Sequence, residues 1–144
     1  MHKPRVFLDS SVIIAALLSS RGGSFYLLTH MHEKVSFVIN EYVFAEVRAV
    51  LETKFMNQPE LSAQFFLTLG LARIVAIPNP NPSDVREAAR VISKNDAPIL
   101  ASATISCDYL ITLDKELLEA HIVEVANKKH LKICTPRDFL ALLR

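Results

Sequence analysis

The stretch Arg5–Leu18, RVFLDSSVIIAALL, decides how the rest of the chain is read. Val6, Phe7 and Leu8 form a continuous apolar run, the pattern of a central parallel strand buried on both faces. Asp9 ends that run with a carboxylate. Ser10 or Ser11 can then cap a helix whose body, Val12 to Leu18, is apolar all round and is predicted to be buried. An acid at the carboxyl end of a central strand, beside a helix N-terminus, stands where open α/β sheets bind ligands. Alone, Asp9 reads equally well as a turn residue. The question is whether other acids reach the same edge.

The chain has 144 residues, enough for one domain with a substantial core, and it is read as a single domain over 1–144. With 51% hydrophobic and 22% charged residues it is globular, not disordered. A formal net charge of +1 argues against a strongly basic nucleic-acid binder but leaves room for a local basic groove. The longest apolar run, Val12 to Leu18, is too short to span a bilayer. Asp9 falls where a secretion signal would need its apolar region. Cys107 and Cys134 form no CxxC, so a reduced, cytoplasmic setting is expected, with both thiols in the core.

Outward from the first helix, Gly22, Gly23 and Ser24 break the chain and cap a second helix. No phosphate-binding glycine motif accompanies them. His30 and His32 form an HxH too sparse for a metal site. Val35 to Ile39 is the second strand, and Asn40 caps a helix running to about Met56. On that helix Val43, Phe44, Val47, Val50, Leu51 and Phe55 make the buried stripe. Glu46 lies on the stripe's border with Tyr42 and Thr53. After Pro59, the helix ELSAQFFLTLG carries more apolar surface than one core face needs. It faces either a neighbouring helix or a partner, whether a second subunit or another protein.

Arg73 to Ile77 reads as the third strand, and Pro78 to Ser83 as a proline-restricted loop. A helix over Asp84 to Ser93 leads into a basic stripe, Arg86, Arg90 and Lys94, which ends beside Asp96. Asp96-Ala97-Pro98 opens a helix of small apolar residues. Tyr109 to Leu113 is the fourth strand, ending at Asp114, and KELLEAH is read as the next helix. Lys132 to Thr135 is the last strand and Pro136 starts a terminal helix. Strands alternating with helices predict a doubly wound α/β fold with a mostly parallel twisted sheet of about five strands and helices on both faces.

In a parallel sheet the strand ends and the starts of the following helices share one edge. Asp9, Glu46, Asp96 and Asp114 are all placed to reach it. Clustered carboxylates repel, and such a group is tolerable mainly around a cation. An oxygen-only donor set suits a hard ion, Mg²⁺ or Mn²⁺. The chemistry that follows is metal-assisted phosphodiester hydrolysis.

VFLDSSVIIAAL, the acid in AEVRAVL, DAPILASA, DYLITLD and ICTPRDFLALL together resemble the PIN-domain nucleases, notably the VapC-like toxins of toxin–antitoxin pairs. The likeness spans almost the whole chain. It implies a PIN-like three-layer fold and a metal-dependent endoribonuclease acting on single-stranded RNA. It also implies an antitoxin protein as partner, and a homodimer is expected. Carried over position by position, it makes Asp9, Glu46, Asp96 and Asp114 the acids that hold Mg²⁺ or Mn²⁺, with Ser10 and Thr112 supporting them. Glu116 lies near a variable extra acid, and Asp108 precedes its strand and is expected outside the site. Arg86, Arg90 and Lys94 are candidate RNA contacts. Where many relatives have glycine between Thr and Asp, this chain has Leu113, which should be tolerated if it points into the sheet.

Other Mg²⁺-binding α/β families fit less well. A response-regulator receiver needs an adjacent acidic pair after its first strand, and Asp9 is followed by Ser10 and Ser11. A haloacid-dehalogenase phosphatase needs DxD there, and Ser11 removes it. A PIN-like RNA- or protein-binding module without catalysis is the alternative from another class.

Overall fold

β1 (Arg5–Leu8) lies at the centre of the sheet, and Val6, Phe7 and Leu8 are fully buried, as the apolar run predicts. The computed structural model describes residues 2–143. β2 (Ser36–Asn40), β3 (Val75–Ile77), β4 (Tyr109–Ile111) and β5 (Lys132–Cys134) complete the order β3-β2-β1-β4-β5. Every pairing is parallel, with Phe7 opposite Val38 on one side and Leu110 on the other.

Eight helices accompany the strands among the described residues. They are α1 (Ser10–Leu18), α2 (Gly23–His30), α3 (Glu41–Thr53), α4 (Glu60–Leu71), α5 (Pro82–Ala88), α6 (Ala97–Ser106), α7 (Ala120–Lys128) and α8 (Pro136–Leu142). The chain steps from β1 through β2 to β3, returns across β1, and steps the other way through β4 to β5. Right-handed crossovers therefore put the helices of the two halves on opposite faces. The direction reverses between β1 and β4, and a crevice opens at such a point beyond the strands' carboxyl ends.

The core unites the three inner strands with α1, α3 and α6. Phe37, Val38, Ile39, Leu110 and Ile111 are fully buried, and so are Ile13, Val43 and Val47. Burial pushes the Cys107 thiol up to about 12 and that of Cys134 to about 11. Neither is a nucleophile near neutral pH. No single helix among the described residues is long and apolar enough to cross a membrane.

Several expected boundaries moved, β2, β3 and β5 by one or two residues and four others more tellingly. β4 ends at Ile111, because Thr112 and Leu113 turn away to bond groups beside Asp9. KELLEAH is not a helix: residues 115–118 form turns and α7 starts at Ala120. There the Asp114 carboxylate accepts the Glu116 N–H at 2.8 Å, a local bond that competes with helix formation. α5 stops at Ala88 instead of Ser93, its end tightened by bonds from Arg90 N to Glu87 O and from Val91 N to Ala88 O. α3 ends at Thr53, short of Met56.

Candidate functional site

Asp9 continues the β1 ladder by one bond, donating its N–H to Ile111 O at 3.0 Å, and then caps α1. Its Oδ1 accepts the Ser10 N–H at 2.9 Å. Its Oδ2 accepts two hydroxyl hydrogens, from Ser11 and from Thr112, each at 2.7 Å. Those hydroxyls are oriented by the segment after β4: Leu113 N–H donates to Ser11 Oγ at 3.1 Å, and Asp114 N–H to Thr112 Oγ1 at 2.9 Å. The buried Asp9 carboxylate is thus fixed from both sides of the crevice between β1 and β4.

Glu46 comes from the second turn of α3, and Ser10 Oγ donates to its Oε1 at 2.5 Å. Asn40 sets α3's direction. Fully buried, it caps the helix through the Val43 N–H at 2.9 Å, and its amide donates to Pro98 O and to Ser102 Oγ. One side chain thereby ties the start of α3, the helix that carries Glu46, to α6, at whose N-cap Asp96 stands.

Asp96 does not cap that helix with its side chain. Its carboxyl instead faces the carboxyl groups of Asp114 and Glu116, which disfavour its charged form. Glu116 is anchored by Ser93, which donates its N–H at 3.1 Å and its hydroxyl at 2.7 Å. Burial, the bonded acids and the nearby charge of Asp9 raise the Asp96 carboxyl to about 8. Glu116, stabilised as the anion by the Ser93 bonds and by Asp96, is lowered. Two acids therefore share a proton, held on Asp96.

Asp9 is raised chiefly by burial and further by the charge of Asp114. Glu46 is raised by burial and then by Asp9 and Asp114. Tyr42, one turn before Glu46, is raised by burial and by Glu46, Asp96 and Asp9. The acids thus sense one another. Among the described residues the ion pairs are Arg48–Glu52 and Lys129–Glu87, and neither touches the cluster. The oxygen-only donors suit a hard divalent cation, and Asp9, Glu46, Asp96, Asp114 and Glu116 could supply them. As they stand, no three His, Cys, Asp or Glu groups among the described residues are spaced to hold a metal ion. Burial and mutual repulsion favour the protonated forms of Asp9, Glu46 and Asp96.

The structure brings together Asp9, Glu46, Asp96 and Asp114, with Ser10 and Thr112 bonded to two of them. Asp108 lies at the opposite end of β4, accepting the Arg5 N–H at 2.8 Å. His30 bonds only Thr29 and Tyr26, away from the acids. Arg86, Arg90 and Lys94 do not line one helix face, because α5 ends at Ala88. Arg90 lines a groove that also contains Asp84, Glu87 and Lys129. Leu113 does not point into the sheet: it is 45% exposed. Sequence reasoning missed Ser11 as a ligand-fixing hydroxyl, and Ser93. Position alone flagged Ser11, two residues after Asp9, whereas nothing local marks Ser93.

The same fold recurs in solved structures. VapBC2 from Rickettsia felis, crystallised with a DNA fragment from their promoter, is 16% identical with a TM-score of 0.69, over 91% of this chain and 98% of that one. PAE2754 from Pyrobaculum aerophilum is 18% identical with a TM-score of 0.69, over 97% of this chain and 89% of that one. No curated protein matches by sequence. The pattern of the PIN domain matches residues 6–123, from within β1 into α7, and so takes in all four acids and the crevice they share. A match of that extent makes this chain a member of the PIN-domain family.

Proposed function

We propose that the protein is a divalent-metal-dependent endoribonuclease that cleaves single-stranded RNA, the toxin of a cytoplasmic toxin–antitoxin pair. One observation carries the reading: an acid cluster at the point where the strand order reverses, with no Lys or Arg neutralising it among the described residues. Membership of the PIN family supports nuclease chemistry. The toxin role rests on the likeness to VapC-like sequences and to the VapBC2 fold, and an antitoxin protein is the partner it implies.

In this reading Asp9, Glu46, Asp96 and Asp114 hold Mg²⁺ or Mn²⁺. A bound ion of that kind activates water and neutralises charge on the scissile phosphate and its leaving oxygen. The chain's own work is positional. Ser11 and Thr112 lock Asp9 so that its oxygens do not reorganise as charge develops. Ser10 holds Glu46 at the rim. Asp96, raised by burial and by its acidic neighbours, favours its protonated form near neutral pH and so lessens the repulsion among the acids.

The test is incubation of a mixed single-stranded RNA pool with Mn²⁺, Mg²⁺ or chelator, with the ends mapped. Cleavage is expected only with metal, and Asp9→Asn and Asp96→Asn are each expected to lose at least about 100-fold in rate, as for removal of one transition-state contact. Undiminished cleavage in chelator, or by both folded variants, overturns the reading. RNA bound but never cut would mark an inert PIN-like binding module instead.

A further inference from the structure

Two open grooves run away from the acidic site and share Gly22 and Gly23 as their common waist. The nearer, of about 260 Å³, starts at Leu113 and passes Ala15 and Ser19 to Arg137. The farther, of about 440 Å³, is walled by Arg21, Lys34 and Tyr26 over an apolar floor of Met31, Leu140 and Leu143. The nearer groove begins one residue from Asp114, and the Leu113 N–H that borders it bonds the hydroxyl fixing Asp9.

The lining is cationic without exception. Arg21, Lys34 and Arg137 are its charged residues, no Asp or Glu joins them, and none is ion-paired among the described residues. On a chain with a formal charge of only +1, this is a concentrated positive path. Tyr26 is 47% exposed, and its ring stacks on His30 with centroids 4.1 Å apart and planes within 10°, which leaves a rigid aromatic surface beside the cations. Gly22 is the N-cap of α2, but neither glycine is demanded by backbone conformation or by close packing. Neither has positive φ, and a Cβ on either meets nothing closer than 3.7 Å. Their effect is to leave the waist bare, so that a backbone can pass close to the chain.

We propose that these grooves bind the single-stranded RNA flanking the cleavage point, on the nuclease reading above. The sugar–phosphate backbone crosses the Gly22–Gly23 waist, Arg137, Arg21 and Lys34 meet successive phosphates, and a base packs on Tyr26 above the apolar floor. Cations beside an exposed aromatic suit a single strand, whose bases are free to stack. The Arg86, Arg90 and Lys94 segment is a poorer path, since Arg90 shares its groove with Asp84 and Glu87.

The experiment measures binding of a 5′-labelled, mixed-sequence 12-mer RNA to the full chain in chelator, across a range of salt. The triple variant R21Q/K34Q/R137Q is expected to bind at least about tenfold more weakly at low salt. Its log–log salt slope should fall by about 2, roughly 0.7 per lost contact to a single strand. R21K/K34R/R137K should restore both, and Tyr26→Ala should weaken binding at least about fivefold. Cross-linking of 4-thiouridine-substituted RNA to the wild type gives a readout independent of variant folding, with the cross-links expected at the Tyr26 groove. An unchanged salt slope in the folded triple variant, or cross-links confined to other surfaces, overturns the path. If cleavage persists in that case, only the groove is lost. RNA held in the groove but never cut keeps the groove and loses the nuclease reading, while a wild type that binds no RNA loses both.

Discussion

Asp96 stands at the N-cap of α6 and leaves the cap bond unmade. Sequence gives Asp there an ordinary explanation, yet its carboxyl serves the acid cluster instead. The consequence is a pH dependence opposite to common acid denaturation. Asp96 is raised to about 8 in the fold, against about 4 for an unfolded aspartate. As pH climbs through that window the unfolded chain gives up the proton first, so this group's contribution to stability is full below about pH 4 and is lost toward pH 8. Asp9 and Glu46, also raised, act in the same sense. Glu116, lowered, acts in the other: its contribution is present above the usual glutamate value and is lost as pH falls. In chelator, the wild-type melting temperature should therefore fall between pH 5 and pH 8. Asp96→Asn should flatten the fall and melt higher than wild type at pH 7.5, and parallel curves would show that Asp96 is not the proton holder. Asp9 and Asp114 were legible because each follows a strand on one edge, Asp9 directly after β1 and Asp114 in the turn beyond β4. Ser93 was not, since it acquires its role from a distant partner, Glu116.

Among the elements, α4 keeps the surplus apolar surface that its sequence suggested. Leu61 and Phe65 are buried, but Phe66 is 52% exposed, Leu67 61% and Leu71 64%. No neighbouring helix covers these three among the described residues. Phe66 packs edge-on to Phe44, with centroids 5.9 Å apart, so it is held rigidly at the surface. We propose that this face is where two copies of the chain meet. Phe66→Glu should then convert a sedimenting dimer to a monomer with little change in melting temperature, whereas a monomeric wild type would remove the proposal. Helix types were read well from periodicity, and helix ends less well. α5 ended in tightened backbone turns, and the segment before α7 where the Asp114 side chain bonded local backbone, events that no apolar pattern records.

At the scale of the molecule, the acids along the crevice raise one another's pKa with no Lys or Arg paired to them among the described residues, so the metal-free fold carries uncompensated repulsion. A cation bound there at 100 times its dissociation constant should stabilise the native state by about 2.7 kcal/mol. Titrating Mn²⁺ into wild type should raise its melting temperature, and into Asp9→Asn much less. Equal shifts would place the ion elsewhere. The parallel order of the sheet also governs when such a crevice can exist. β1 is the first strand made during synthesis, yet its partner β4 lies about a hundred residues downstream, with Phe7 opposite Leu110. Closing so long a loop is slow and comes late in folding. Thr112 and Leu113, which complete the hold on Asp9, arrive with that strand. A growing chain therefore displays its first acid long before the fold can fix it, and the crevice around Asp9 takes shape only once most of the chain has emerged.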